Sequence, residues 1–493
     1  MTHIYIKNKL YILPALLFCI NLQTAANTQP NTEHTNTKTS HNLDNLVDQQ
    51  SLDVFNLNLI RKQKAKIQMP AGTFDSDFGR NGQGYFIGRV GPNQLFNGNC
   101  YTRAVTIQHD NKIVVAGVID IGLTAHYPLL VRFNDNGTLD TTFGPSADGP
   151  GAVVDHQLAH GYYNAVAIQE FDQKIVAAGG IYSKLVIARR NENGAPDQSF
   201  GTNGVIRPDI EGSINAIALQ KDHKIIVAGY NNKYGFFRTT DTILIRYNEN
   251  GSLDTTFGTH GIVNVFRGKL SRANAVIIQE DNSIVVVGKG NPENKNEMAI
   301  ARYNRHGKLD VDFGSQGDGV EKVQIGNGES MPNDVVVQHD GKIIVVGSSI
   351  SKFNKNICTI IRLHKNGSLD TSFGDNGVIT ITPTGHTGDN AYATSVAIDN
   401  DDNIIVIGYT VGAHGNTYFS LIRFNEDGIL DTAFGHQGVA NYSLSSASNV
   451  ANKNITPVVG AIQNDKKKLA LASNYSPNNP RTSNQFAVAR FLN

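Results

Sequence analysis

One five-residue frame, D-x-x-F-G, recurs seven times in this chain, closing on Gly79, Gly144, Gly201, Gly258, Gly314, Gly374 and Gly435. The intervals are 65, 57, 57, 56, 60 and 61 residues. A unit of that size is one supersecondary motif that cannot bury its own apolar faces, so the copies must stack on one another. A second frame, A-V-x-I-Q-x-D-x-K-I-V-V-A-G, follows each first one. It opens at Ala104, Ala165, Ala216, Ala275, Asp334 and Ser395, and in degenerate form at Val458.

Each unit reads as four strands. The first begins after the F-G pair, as in the alternating GIVNVF at Gly261. Two more are the halves of the second frame, joined by a tight Asp/Asn-rich turn whose residues tolerate left-handed backbone. The half such as IVVAG is apolar on both faces and requires cover on both sides. The last ends in an apolar-Arg-aromatic segment, as in IRYN at Ile245. Four antiparallel strands with two buried faces describe a propeller blade.

The ends of the array are complementary. The first D-x-x-F-G, at Asp75, has no Arg-aromatic strand before it, and the last strand, FAVARFLN at Phe486, has no D-x-x-F-G after it. The 423 residues from Ala71 to Asn493 divide into seven units of about 60. The fold class expected is therefore all-β: a seven-bladed β-propeller of four-stranded antiparallel blades, closed by N- and C-terminal strands sharing one blade. Closure removes the exposed sheet edges; an open solenoid is the alternative.

From the strand-four arginine to the F-G glycine is 12 residues in all six complete linkers, Arg132 to Gly144 through Arg423 to Gly435. Fixed length with repeated chemistry implies one fixed conformation, in which the Arg pairs with the Asp eight residues on and the Phe anchors neighbouring blades. Calcium is the rival use of these turns, because Asn134–Asp140 and Asp399–Asn403 are rich in oxygen donors. The 12-residue loop with a closing glutamate is absent, however, and the cofactor expectation is none, with calcium as the alternative. No HExxH motif, nucleophile elbow or P-loop occurs.

Charge excludes general polyanion binding: 43 basic residues balance 43 acidic ones, so a nucleic-acid partner is not expected. The N-terminus carries Lys7 and Lys9, an apolar stretch Leu10–Ile20 and a small-residue site at Thr24-Ala25-Ala26, the pattern of a secretory signal peptide over residues 1–26. That stretch is short of the roughly 20 residues needed to span a bilayer. Residues 27–70 are rich in Asn, Thr and Gln and read as a flexible spacer, with room for a short helix. The expected product is exported, to the periplasm, the cell surface or the medium, and monomeric. Cys100 and Cys358 read as buried thiols.

Loop lengths divide the disc into two faces. The turn inside the second frame and the Arg-to-Gly linker are nearly constant, whereas the two connections at the opposite end vary. Binding concentrates on loops held by a rigid scaffold. The variable loops nominate Tyr127, Tyr234, Phe236, His414 and Tyr475 as contact residues.

The L-D-x-x-F-G linker, the IQ-x-D-x-K-I-V-V-A-G hairpin and the spacing near 60 resemble the delta-60 repeat family of bacterial proteins, over nearly all of residues 71–493. The resemblance implies a β-propeller on an exported or surface protein and lends no catalytic residues. The last unit, with KKKLALAS for KIVVAG, and the second linker, with Pro196 before Asp197, depart from the pattern. The leading expectation is a non-catalytic binding or scaffolding module that contacts protein or glycan through the variable face. A propeller-type lyase or glycoside hydrolase, and a calcium-stabilised structural surface protein, are the alternatives.

Overall fold

A computed structural model describes residues 70–493 except 80–81, 89–98, 122–124, 234–238, 266–269, 291–296, 327, 385–388, 413–414, 444–454, 464, 466 and 477–483. The expected signal peptide and spacer lie outside the described residues. Met69–Asn493 is one compact unit.

The described strands form seven antiparallel four-stranded sheets. In the first, Cys100–Ile107, Ile113–Ile121, Ala125–Phe133 and Ala152–Val154 pair in chain order. The first strand of each sheet touches the first strand of the next, and that of the seventh touches that of the first, so the inner strands close a ring around a central channel. The two halves of the A-V frame are the inner pair of each blade. The strand after each F-G, read above as opening its unit, is instead the outer edge of the blade before it.

The seventh blade is built from both ends of the chain. Ile455–Ile462, Lys468–Tyr475 and Gln485–Leu492 are completed by Tyr85–Gly88, which pairs with the last of them from Tyr85↔Ala489 to Gly88↔Phe486. The degenerate seventh copy thus keeps its ladder despite its three lysines. In the second linker Pro196 bridges Arg190 and leaves the blade regular, since Asp197 N–H still donates to Arg189 O.

The core lies between blades. Seven apolar clusters occupy the seven interfaces, and each holds one F-G phenylalanine: Phe78, Phe143, Phe200, Phe257, Phe313, Phe373 and Phe434, all at 1% exposure or less. Full burial of a Phe side chain stabilises by roughly 1.5–3 kcal/mol. The second strands supply both neighbouring interfaces, as expected from their unbroken apolar runs: Val114 and Ala116 face one cluster, Ile113 and Val115 another.

The linker is a repeated polar lock. Arg Nε donates to Asp Oδ2 in every blade: 2.9 Å for Arg132–Asp140, 2.6 Å for Arg189–Asp197, 2.7 Å for Arg246–Asp254 and 2.8 Å for Arg362–Asp370. The same guanidinium lies over the Phe of its own linker, 4.5 Å from the Phe143 centroid for Arg132, and donates to the next blade's linker carbonyl, 2.5 Å for Arg189 to Glu249 O. The frame's Gln joins in, since Gln108 Oε1 accepts from Arg132 Nη1 at 3.1 Å. At closure Arg490 Nε meets Asp75 Oδ2 at 2.7 Å, although the residues are 415 apart in sequence. Asp140 and Asp399 spend their oxygens within this framework, Asp399 on the backbone N–H groups of Asp401 and Asn403 and on the amides of Asn403 and Asn493.

Burial pushes the Asp197 carboxyl upward, but the Ser199 hydroxyl and N–H and the Arg189 guanidinium outweigh it and hold the group down at about 2. Cys100 and Cys358 are buried in blades 1 and 5, and burial pushes the Cys358 thiol up to about 12. Among the described residues no helix is long and apolar enough to cross a membrane.

Candidate functional site at the channel mouth

Six of the seven inner strands carry a bulge at the residue before the A-V pair. The register slips between Thr102 and Ala104, Tyr163 and Ala165, Ile214 and Ala216, Ala273 and Ala275, Pro332 and Asp334, and Ala393 and Ser395. An extra residue on one strand kinks it and re-aims a side chain. The residues so displaced include Arg103, Asn164, Asn215, Asn274, Asn333 and Thr394, and all of them line the channel.

The bulge also explains the glycine that ends the frame. In the second strand, Gly117 stands where a Cβ would come 1.9 Å from Tyr101 O, and at Gly347 a Cβ would come 2.0 Å from Met331 O. Only glycine lets the two backbones approach so closely. In the seventh blade the position is Ser473, and there the slip is wider, between Ile455 and Val458.

The bulge side chains link the blades in a chain of amides. Nδ2 of Asn164, Asn215, Asn274 and Asn333 donates to a carbonyl of the next blade's inner strand, Ile214 O at 2.9 Å and then Ala273 O, Pro332 O and Ala393 O at 2.7 Å. Asn164 Oδ1 receives Arg103 Nη1 at 2.7 Å, and Asn215 Oδ1 receives Arg272 Nη2 at 3.3 Å.

These residues surround a cavity of about 770 Å³ at the end where the inner strands begin, the end that carries the variable connections. That volume falls in the range of about 300–1,000 Å³ typical of small-ligand sites. Its aromatic part is Tyr392 stacked on Tyr409 at 4.7 Å and 19°, with the Tyr392 hydroxyl accepting from Asn356 Nδ2 at 2.9 Å. Burial, with Tyr392 and Cys358 adding to it, pushes Tyr409 up to about 12. Arg103 lies 4.7 Å over the Tyr162 ring and Arg272 5.1 Å over Tyr230. Partial desolvation by the walls of the mouth lowers the Arg103 pKa, Tyr162 opposes that shift, and the like charge of Arg272 adds to it. Glu329 is the one carboxylate among the described lining residues, and it is ion-paired with Lys289. The other end of the channel is lined largely by aliphatic residues such as Ile107, Val337, Ile398 and Ile462, with Thr106 and His339 among them.

Of the residues nominated by the loops, Tyr127 and Tyr475 sit at strand ends outside this mouth. Tyr127 pairs with Ile119, and its ring is 5.7 Å from that of His156, whose Nε2 is 2.9 Å from Asp148 Oδ1. Tyr475 pairs with Gln485 and packs on the cluster between blades 6 and 7. Tyr234, Phe236 and His414 lie outside the described residues. The mouth itself is built from strands. A signal for it exists in the repeat: Asn precedes the A-V position in four successive copies, at Asn164, Asn215, Asn274 and Asn333.

Five segments, residues 108–143, 220–257, 279–313, 338–373 and 400–434, match the family model described as "Domain of unknown function (DUF5122) beta-propeller". These segments are similar to the repeats of a β-propeller domain of unknown function. No curated protein matches the chain. Similar solved structures include the polysaccharide lyase Uly1, with TM-score 0.47 and 11% identity, covering 80% of this chain and 90% of that one. A protein of unknown function from Dyadobacter fermentans has TM-score 0.43 and 10% identity, covering 83% and 100% of the two chains. The Dos1 propeller has TM-score 0.43 and 10% identity, covering 80% and 94%. Identities near one residue in ten transfer no site residue to this chain.

Proposed function

We propose that this protein is an exported, non-catalytic binding module whose ligand enters the channel mouth on the variable face. The observation that carries the reading is the bulge shared by six inner strands, which turns one polar side chain from each of those blades into the mouth while the opposite face spends its recurring Arg, Asp and Gln on holding blades together. A rigid ring that presents amides, tyrosines and guanidinium groups in a cavity suits recognition of a polar ligand.

Its chemistry favours binding over turnover. Glycoside hydrolysis commonly uses two carboxylates flanking the scissile bond, whereas the described lining holds Glu329 alone, paired with Lys289. A lyase needs a base poised near the working pH; Tyr409, at about 12, stays protonated at neutral pH.

The test is a glycan and peptide array probed with the purified protein and with Met331→Trp, which fills the mouth from a partly exposed position without removing a described hydrogen bond. Ligands retained by the folded variant at full strength would refute the mouth as the binding site. Export is tested separately, by intact mass of the protein recovered from cells with its leader; an unprocessed N-terminus would refute it.

A further inference from the structure

The mouth carries two guanidinium groups to which no described carboxylate is paired. Arg103 and Arg272 stand at the two ends of one hydrogen-bonded arc, Arg103–Asn164–Asn215–Arg272, whose middle link is Asn164 Nδ2 to Asn215 Oδ1 at 3.5 Å. Elsewhere in the ring the recurring arginines each have an aspartate. These two instead rest on tyrosine faces and amide oxygens. Both side chains are solvent-exposed yet line the cavity, so their donors are open to an incoming anion. Guanidinium groups favour carboxylates because the planar donor fork matches the two oxygens.

Farther round the ring the site changes character. Asn274 and Asn333 are each tethered by one Nδ2 N–H to the neighbouring blade, and their Oδ1 atoms are acceptors that no described residue uses. Acceptors of that kind take hydroxyl groups. Beside them the stacked Tyr392–Tyr409 pair supplies an aromatic, polar-edged wall. A ligand that offers a carboxylate on one side and several hydroxyls on the other is a sugar acid.

Resting on the reading of the mouth as the binding site, we infer that it recognises an acidic saccharide, with Arg103 and Arg272 holding the carboxylate of a uronic-acid residue and Asn274 and Asn333 accepting its hydroxyls. An acidic peptide has the charge but not the row of hydroxyl donors. The enclosed volume also suits a few sugar rings better than a folded surface.

Calorimetric titration of the purified chain with galacturonate, glucuronate and mannuronate trisaccharides tests this. The methyl ester of each trisaccharide and a tetra-aspartate peptide complete the set. At least one uronate is expected to bind and to lose roughly tenfold or more on esterification. Arg103→Gln and Arg272→Gln should each weaken it by roughly tenfold or more, as befits a lost charge-assisted hydrogen bond. Arg207→Gln, outside the mouth, should leave it unchanged.

Equal binding of acid and ester that Met331→Trp abolishes would overturn the carboxylate assignment and leave the mouth as the site. Binding that survives Met331→Trp would overturn both. Tighter binding of tetra-aspartate than of every uronate, or no binding of any uronate by a folded protein, would overturn the saccharide.

Discussion

Neutralising Asp75 asks whether the ring is closed by the same lock that joins its blades. Arg490 Nε lies 2.7 Å from Asp75 Oδ2, Lys468 Nζ approaches the same oxygen at 3.1 Å, and Asp77 N–H donates to Oδ1 at 3.0 Å. The paired side chains are only 1% and 4% exposed. Removing one partner of such a pair costs about 3–5 kcal/mol, because the other charge stays buried and uncompensated. Asp75→Asn keeps the shape and one acceptor, and Asp135 gives Arg490 a second carboxylate, so the lower end, about 3 kcal/mol, is expected. The control is Asp254→Asn, which breaks the same lock at Arg246 inside a continuous chain. There the covalent linker still connects the blades, whereas Tyr85–Gly88 is held on Gln485–Leu492 by non-covalent contacts. Asp75→Asn should therefore raise local opening of this ladder roughly 10²-fold. Amide hydrogen exchange at Phe486–Ala489 reads that opening, and denaturant unfolding reads the global loss in both variants. Equal exchange in the two variants, or an Asp75→Asn protein within about 0.5 kcal/mol of wild type, would refute the reasoning.

Acid should unlock the ring at low pH. In Asp75, Asp140, Asp197, Asp254 and Asp370 burial pushes the carboxyl up, but neighbouring N–H groups and cations outweigh it and bring each below the ordinary 3.8. The unfolded chain therefore takes up protons first, so this stability is fully present above the unfolded value and is lost as pH falls through the folded values. Melting temperature should hold from neutral pH to about 5 and fall steeply between about 4 and 2; a flat profile down to pH 2 would contradict it. Gly117→Ala sets a Cβ 1.9 Å from Tyr101 O and should cost about 3 kcal/mol or more, while Ser473→Gly, at the matching place in the seventh blade, should change stability by less than about 1 kcal/mol. Comparable losses in thermal unfolding would remove the bulge as the cause. Chelation with EDTA should leave the melting temperature unchanged, since the Asp140 and Asp399 oxygens are held by protein donors; a drop that calcium restores would instead assign the turns to metal.

Architecture was legible because repetition exposes it. Seven D-x-x-F-G copies counted the blades, the 12-residue Arg-to-Gly interval announced the Arg–Asp lock, and the unmatched ends at Asp75 and Phe486 announced the shared blade. Each is a local pattern of residue type and spacing, which a chain carries wherever it is read. The channel mouth is different. Asn164, Asn215, Asn274 and Asn333 are single polar letters in strands that otherwise read as core, and Arg103 and Arg272 occupy non-equivalent places in their copies. What gathers them is the bulge shared by six inner strands and the closing of the ring, which brings residues more than 100 positions apart to one opening. Spacing along a chain records the lock within a repeat, but only the folded ring decides which side chains of different repeats face one another.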